Sequence, residues 1–160
     1  MRIGETEKGP GVPREQRTEL DGFLSVMRQA NNRLEYVTAN DWALILDKAS
    51  RKSFAKGDEL FQYGKQNPTI LFVVRGSASV VSARRWQIAS VRAGEVLGEM
   101  AFLEGSNASA TVVADEPLEA LAIPWRTLHE LFETYPHLGS RFYRSVAVSL
   151  SRRLRQQIAE

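Results

Sequence analysis

Ile70-Leu71-Phe72-Val73-Val74-Arg75-Gly76-Ser77-Ala78-Ser79-Val80-Val81 contains two short apolar runs parted by a glycine. Runs of this length, rich in β-branched and aromatic residues and bounded by turn formers, read as strands. On both sides the pattern continues from Phe54 to Ile123. Glycines punctuate it at Gly57, Gly64, Gly76, Gly94, Gly98 and Gly105, and further runs lie at Trp86 to Val91, Ala110 to Ala114 and Leu118 to Ile123. Short strands with turn signals about every ten residues indicate a small sandwich or barrel. Parallel strands need a helix-sized crossover, and no such segment separates these runs. The expected fold is mostly β, an antiparallel, jelly-roll-like β-roll over about residues 52 to 123.

Outside this region the period becomes helical. Leu20, Phe23, Leu24, Met27 and Leu34 recur at helical spacing, interrupted by Gly22 and Asn31-Asn32. A second helix has Thr38 or Asn40 to cap it, Asp41 at its positive end, and Trp42, Ile45 and Leu46 as its stripe. Pro124 opens a third, with Leu128, Leu131 and Phe132 on one side, and Tyr135-Pro136 breaks it. A last helix carries Tyr143, Val146, Ala147, Leu150, Leu154 and Ile158 at spacings of three and four. Residues 1 to 18, with Gly4, Gly9, Pro10, Gly11 and Pro13 among mixed charges, bury too little to offset their ordering and are expected to be a disordered tail or linker. Residues 19 to 160 then form one domain, with C-terminal helices over about 124 to 158.

Composition narrows the functional classes. The chain has 160 residues, 43% of them hydrophobic, and no cysteine. A disulfide scaffold, a thiol nucleophile and a cysteine-ligated metal are therefore excluded. The sequence lacks a run of eighteen apolar residues and an apolar stretch behind Met1, so neither a membrane span nor a secretory signal is expected, and the cytoplasm is the expected compartment. The net charge of +2 conceals an asymmetry. Arg141, Arg144, Arg152, Arg153 and Arg155 stand against Glu160 in the last twenty residues, leaving the preceding 140 slightly acidic. Such a terminal cluster is a surface that a partner would feel, or a solvated face.

The residues Gly94-Glu95-Val96-Leu97-Gly98-Glu99-Met100-Ala101-Phe102-Leu103-Glu104-Gly105-Ser106-Asn107-Ala108-Ser109-Ala110-Thr111-Val112 carry the chemistry. Gly98 allows close backbone approach, and Glu99 opens a short helical turn whose free amides attract an anion. A small-residue loop follows and faces it, making a pocket lined by backbone amides that suits a phosphate. The same residues also admit a purely structural reading, in which the glycines only turn and the small residues only pack.

Gly57-Asp58-Glu59-Leu60-Phe61, Gly64, Leu71-Phe72-Val73-Val74-Arg75-Gly76, Gly94 to Leu103 and Ser109-Ala110-Thr111-Val112, in that order, resemble a cyclic-nucleotide-binding domain over about residues 36 to 156. This family includes the sensory domain of catabolite activator proteins, regulatory subunits of cyclic-AMP-dependent kinase and several ion channels. The resemblance implies a phosphate-binding cassette in which Gly98 gives an amide and Glu99 accepts the ribose 2′-hydroxyl. It also implies that the amides of Met100 and Ala101 face the phosphate or sugar, and that Ser109 and Ala110 give hydroxyl and amide contacts. The ligand implied is cyclic AMP or cyclic GMP, with no other cofactor.

In the family's pattern an arginine precedes that last pair; here the position is Ala108. A charge-assisted contact of this kind contributes ~1.5–3 kcal/mol, which corresponds to roughly a ten- to hundredfold affinity difference. Arg84, Arg85 and Arg92 lie in neighbouring turns as candidate replacements. Two functions follow: a regulatory domain that senses a cyclic nucleotide and transmits binding through its C-terminal helix, or a degenerate cassette serving as a dimerisation or interaction module.

Tyr143, Ala147, Leu150 and Leu154 form nearly a heptad seam, and a homodimer through this helix is expected, as in relatives that dimerise. The first half of the helix is expected to pack on the roll and the part beyond Leu150 to outrun it. With no helix-turn-helix in the sequence, the expected output is a partner protein or a once-fused domain, not DNA. An enzyme is not expected. His129 and His137 are the only histidines, and no strand carries a metal-ligating set. Ser149 and Ser151 have no base at a useful spacing. Trp86 and Trp125 read as core or barrel-edge aromatics.

Overall fold

The computed structural model describes residues 14–30 and 33–159. Helices α1 (Arg14–Gln29) and α2 (Ala39–Lys48) precede eight strands: β1 (Ser50–Phe54), β2 (Glu59–Phe61), β3 (Thr69–Arg75), β4 (Ser77–Val81), β5 (Gln87–Arg92), β6 (Val96–Leu97), β7 (Thr111–Ala114) and β8 (Leu118–Pro124). A short helix, α3 (Glu99–Glu104), lies between β6 and β7, and α4 (Trp125–Thr134) and α5 (Pro136–Ala159) close the chain. The strands form two four-stranded sheets, ordered β1-β8-β3-β6 and β2-β7-β4-β5, with every pairing antiparallel. The expected β-roll with flanking helices is the architecture observed.

Strand β3 explains the layering. Side chains alternate along a strand, so a strand buried on both faces becomes a continuous apolar run. Ile70 and Phe72 face the helices and pack with Trp42, Ile45, Ile123, Leu128 and Phe142. Leu71 and Val73 face the interior of the roll, with Leu60, Phe61, Leu97, Ala108 and Val112. The turn to β4 requires a residue without a side chain: Gly76 has φ +94°, and a Cβ there would lie 2.6 Å from the Pro117 carbonyl oxygen.

The N-terminal helix begins at Arg14, inside the stretch expected to be tail, because Arg14-Glu15-Gln16-Arg17 are good helix formers. Residues 1–13 lie outside the described residues. The helix ends at Gln29, so Leu34 reaches the core from a loop. The break at Tyr135-Pro136 falls between α4 and α5 as expected. Trp125 is half-buried against Phe102, whereas Trp86 stands 75% exposed beside the β4–β5 turn. No described helix is long and apolar enough to cross a membrane.

Asp41 ties α2 to α5. It completes a capping box with Thr38, the Thr38 amide donating to Oδ2 at 3.0 Å and the Asp41 amide to the Thr38 hydroxyl at 3.1 Å. Arg141 of α5 then donates from Nε and Nη2 to the same carboxylate at 2.6 and 2.8 Å. Nearby, the Tyr36 amide donates to Ser145 Oγ, and the Arg144 guanidinium lies 3.9 Å from the Tyr36 ring centre. The Arg141 hydrogen bonds hold the Asp41 carboxyl below its usual range. A carboxylate of lowered pKa stabilises the fold above its unfolded value and loses that contribution as pH falls through the folded value. Asp41→Ala is therefore expected to lose about 2 kcal/mol at pH 7 through the missing cap and buried hydrogen bonds. Urea unfolding at a series of pH values checks this, with the deficit shrinking only in strongly acidic solution.

Candidate functional site

The site begins where β6 turns into α3. Gly98 has φ +86°, and a Cβ on it would lie 2.9 Å from both the Phe61 ring and the Thr69 carbonyl oxygen. This close approach sets the direction of α3, which starts at Glu99 and ends at Gly105 in the left-handed region. Phe102 donates to the Gly98 carbonyl at 3.1 Å, so the amides of Glu99, Met100 and Ala101 precede the first intrahelical donor. After α3 the chain folds back, the Ser106 amide donating to the Ala101 carbonyl at 3.0 Å.

Both predicted halves of the cassette meet the β2–β3 connection. Phe61 abuts Gly98, and Gly64 and Lys65 exchange backbone hydrogen bonds with Ala108 at 2.9 and 3.0 Å. Ala108 is buried in the apolar cluster inside the roll. Ser109 is exposed and Ala110 half-buried, while Met100 is exposed and Ala101 half-buried. The Thr111 hydroxyl accepts from the Tyr63 amide at 3.1 Å and fixes the start of β7.

Glu99 is the unusual group. Its residue is only 6% exposed, yet its side chain is ionisable. Burial pushes its carboxyl above the usual glutamate range, outweighing the Arg153 charge, its own amide and the Arg153 hydrogen bond, all of which lower it; Glu95 adds a further rise. Glu95 is itself buried, accepting from the Arg92 amide at 2.9 Å. A buried carboxylate whose charge is disfavoured overall lowers stability in the ligand-free protein, and such groups cluster at functional sites.

The partner of Glu99 was missed in the sequence. Arg153 of α5 donates from Nη1 to Glu99 Oε1 at 3.0 Å across 54 positions of chain. Arg85 instead pairs with Glu59, at 3.9 Å, and Arg92 is exposed. The seam on Tyr143, Ala147, Leu150 and Leu154 lies on a different face of α5 from Arg153. The buried face is Leu138, Phe142, Ser145, Val146 and Ser149. Continuing that stripe by four residues leads to Arg153, which was the available signal. On the seam itself, Ala147 is exposed, Leu154 is 58% exposed, and Leu150 packs partly on the core. Tyr143 is 38% exposed and lies parallel to the Phe102 ring. Beyond Leu150 the helix still reaches the body, since Arg152 donates to Glu35. Four of the five terminal arginines thus engage groups within the fold, so the basic cluster is not simply a partner-facing patch.

His129 and His137 are exposed, His129 stacking on Phe102 at 4.9 Å. Asp115 and Glu116 lie in the turn between β7 and β8.

The sequence model of the cyclic nucleotide-binding domain matches residues 51–135. Cyclic GMP-binding protein C of Dictyostelium discoideum is 27% identical over 146 residues, which is 89% of this chain and 6% of that protein. Glutaminase 2 of Bradyrhizobium diazoefficiens is 27% identical over 121 residues, 76% of this chain and 19% of that protein. The chain thus spans a small fraction of the curated relatives it matches. Among solved structures, a cyclic nucleotide-binding domain from Methylobacillus flagellatus superposes with a TM-score of 0.74 at 19% identity, covering 87% of this chain and 80% of that one.

Because the folded-state pKa of Glu99 is raised, ionising it weakens the fold as pH rises from the unfolded to the folded value. Glu99→Gln is expected to unfold at a higher temperature than the unsubstituted protein at pH 8 and to show no advantage at pH 3.5. Melting curves across this range check the sign; a destabilised variant at pH 8 contradicts it.

Proposed function

The chain belongs to the cyclic nucleotide-binding domain family, and we propose that it is a regulatory domain whose Gly98–Ala110 cassette binds cyclic AMP or cyclic GMP and signals through α5. The observation that carries this reading is the buried Glu99 carboxylate at the first position of α3, reached through a glycine of positive φ. It offers acceptors for a ribose hydroxyl beside amides that have no intrahelical partner. The Dictyostelium relative, named for binding cyclic GMP, supports the same ligand class. In this reading the domain is a cytoplasmic, non-enzymatic module that acts on a partner protein or fused domain.

Ala108 supports the second reading, a cassette retained for interaction alone. It is packed in an apolar cluster, and both its backbone groups bond the loop at Gly64 and Lys65. Calorimetry separates the two. Cyclic AMP or cyclic GMP is expected to give measurable heat with the unsubstituted chain, none with Glu99→Ala, and roughly ten- to hundredfold tighter binding with Ala108→Arg. No heat and no thermal shift at millimolar ligand would leave the interaction reading standing.

The exposed stripe of Ala147, Leu154 and Ile158 on α5 supports a homodimer through that helix. Light scattering is expected to give twice the chain mass, reduced to one chain by Leu154→Asp. A single-chain mass at high protein concentration contradicts the dimer.

A further inference from the structure

We propose that Arg153 supplies the positive charge that this cassette lacks at Ala108, so that the ligand's phosphate is held between the roll and the last turns of α5. The inference rests on the cyclic-nucleotide reading of Gly98–Ala110 and adds to it a phosphate-binding residue from outside the cassette.

The charge at Glu99 favours such a group. Glu99 and Glu95 are both buried there, and Ala108 contributes only a methyl group to the interior of the roll. Without Arg153, an anionic cyclic phosphate would approach the buried Glu99 carboxylate with no guanidinium beside it. With it, Glu99 is paired at 3.0 Å and a guanidinium stands beside the first residue of α3.

Arg153 also has capacity to spare. Its Nη1 engages Glu99 Oε1, but its Nε is buried and has no acceptor among the described residues. A shielded guanidinium N–H without a partner is unfavourable, and an anionic oxygen is the acceptor it suits best. Pairing does not exhaust Glu99 either, because a carboxylate has acceptor sites on both oxygens. One carboxylate can therefore hold Arg153 and a ribose hydroxyl together. The remaining contacts of α5 keep the arginine in place: Asp41–Arg141 anchors the first half of the helix, and Glu35–Arg152 holds the turn that carries Arg153.

The test uses the full chain with cyclic AMP, cyclic GMP and the corresponding nucleosides, which keep the ribose and base but lack phosphate. Arg153→Met is expected to weaken the better cyclic nucleotide tenfold or more and the nucleosides by a clearly smaller factor. Arg153→Lys, which keeps the charge, should retain part of the affinity, and Ala108→Arg should recover it in the Arg153→Met background. Melting curves of the ligand-free variants establish that they are folded. Unchanged or tighter cyclic-nucleotide binding by Arg153→Met overturns the proposal, as does an equal loss for nucleosides, which would confine Arg153 to orienting Glu99. If the unsubstituted chain binds neither cyclic nucleotide, the functional reading fails and this inference with it. If it binds and Arg153→Met is indifferent, only the inference fails.

Discussion

Burying the Glu99 carboxylate requires three separate parts of the chain to agree. Gly98 must adopt a positive φ against Phe61 and Thr69, so that α3 starts where it does. Arg153 must arrive from α5 to meet the charge. For Arg153 to arrive, α5 must lie along the body at a fixed rotation, and Asp41, Tyr36 and Glu35 secure that rotation through Arg141, Ser145 and Arg152. Helix α2 and the segment before it, the cassette and the terminal helix are thereby joined through a short row of polar contacts laid beside the apolar core. That core supplies the bulk of the stability, because burial of apolar surface scales with area, whereas the polar row fixes the register.

In the proposed function, this link is the physical basis for signalling from the cassette. A ligand that engages Glu99 would alter the surroundings of Arg153, and Arg153 sits on the helix whose exposed side presents Ala147, Leu154 and Ile158. A ligand changes a conformational balance only by interacting differently with its two states. In the proposed function the differential contact is the Glu99–Arg153 ion pair, which joins α3 to α5.

Strand pattern made the roll legible. Ile70 to Val74 is a run apolar at every position, and β3 is covered on both faces. The glycine turns and the Tyr135-Pro136 break were equally plain, because special backbone conformations and proline restrict the residues that fit. The near half of the cassette was legible for the same reason. The ion pairs were not. Asp41 reads locally as a helix-start residue, and nothing within a few positions reveals that Arg141 will reach it. Arg153 reads as one of several solvated arginines on a basic helix. Its role depends on which face of α5 turns inward, and two apolar stripes one residue apart, Phe142–Val146 and Tyr143–Ala147, compete for that reading. Only burial in the folded core separates them: Phe142 and Val146 are fully buried, whereas Tyr143 and Ala147 are exposed.

Titration of isotopically labelled protein with cyclic AMP and cyclic GMP, followed by NMR, tests the central claim most directly. The account predicts that the backbone amides of Gly98 to Ala101 and Ala108 to Ala110 shift together with the Arg153 side-chain Nε–H, along one binding curve. Shifts in the cassette with an unmoved Arg153, or no shifts in either at millimolar ligand, would contradict it.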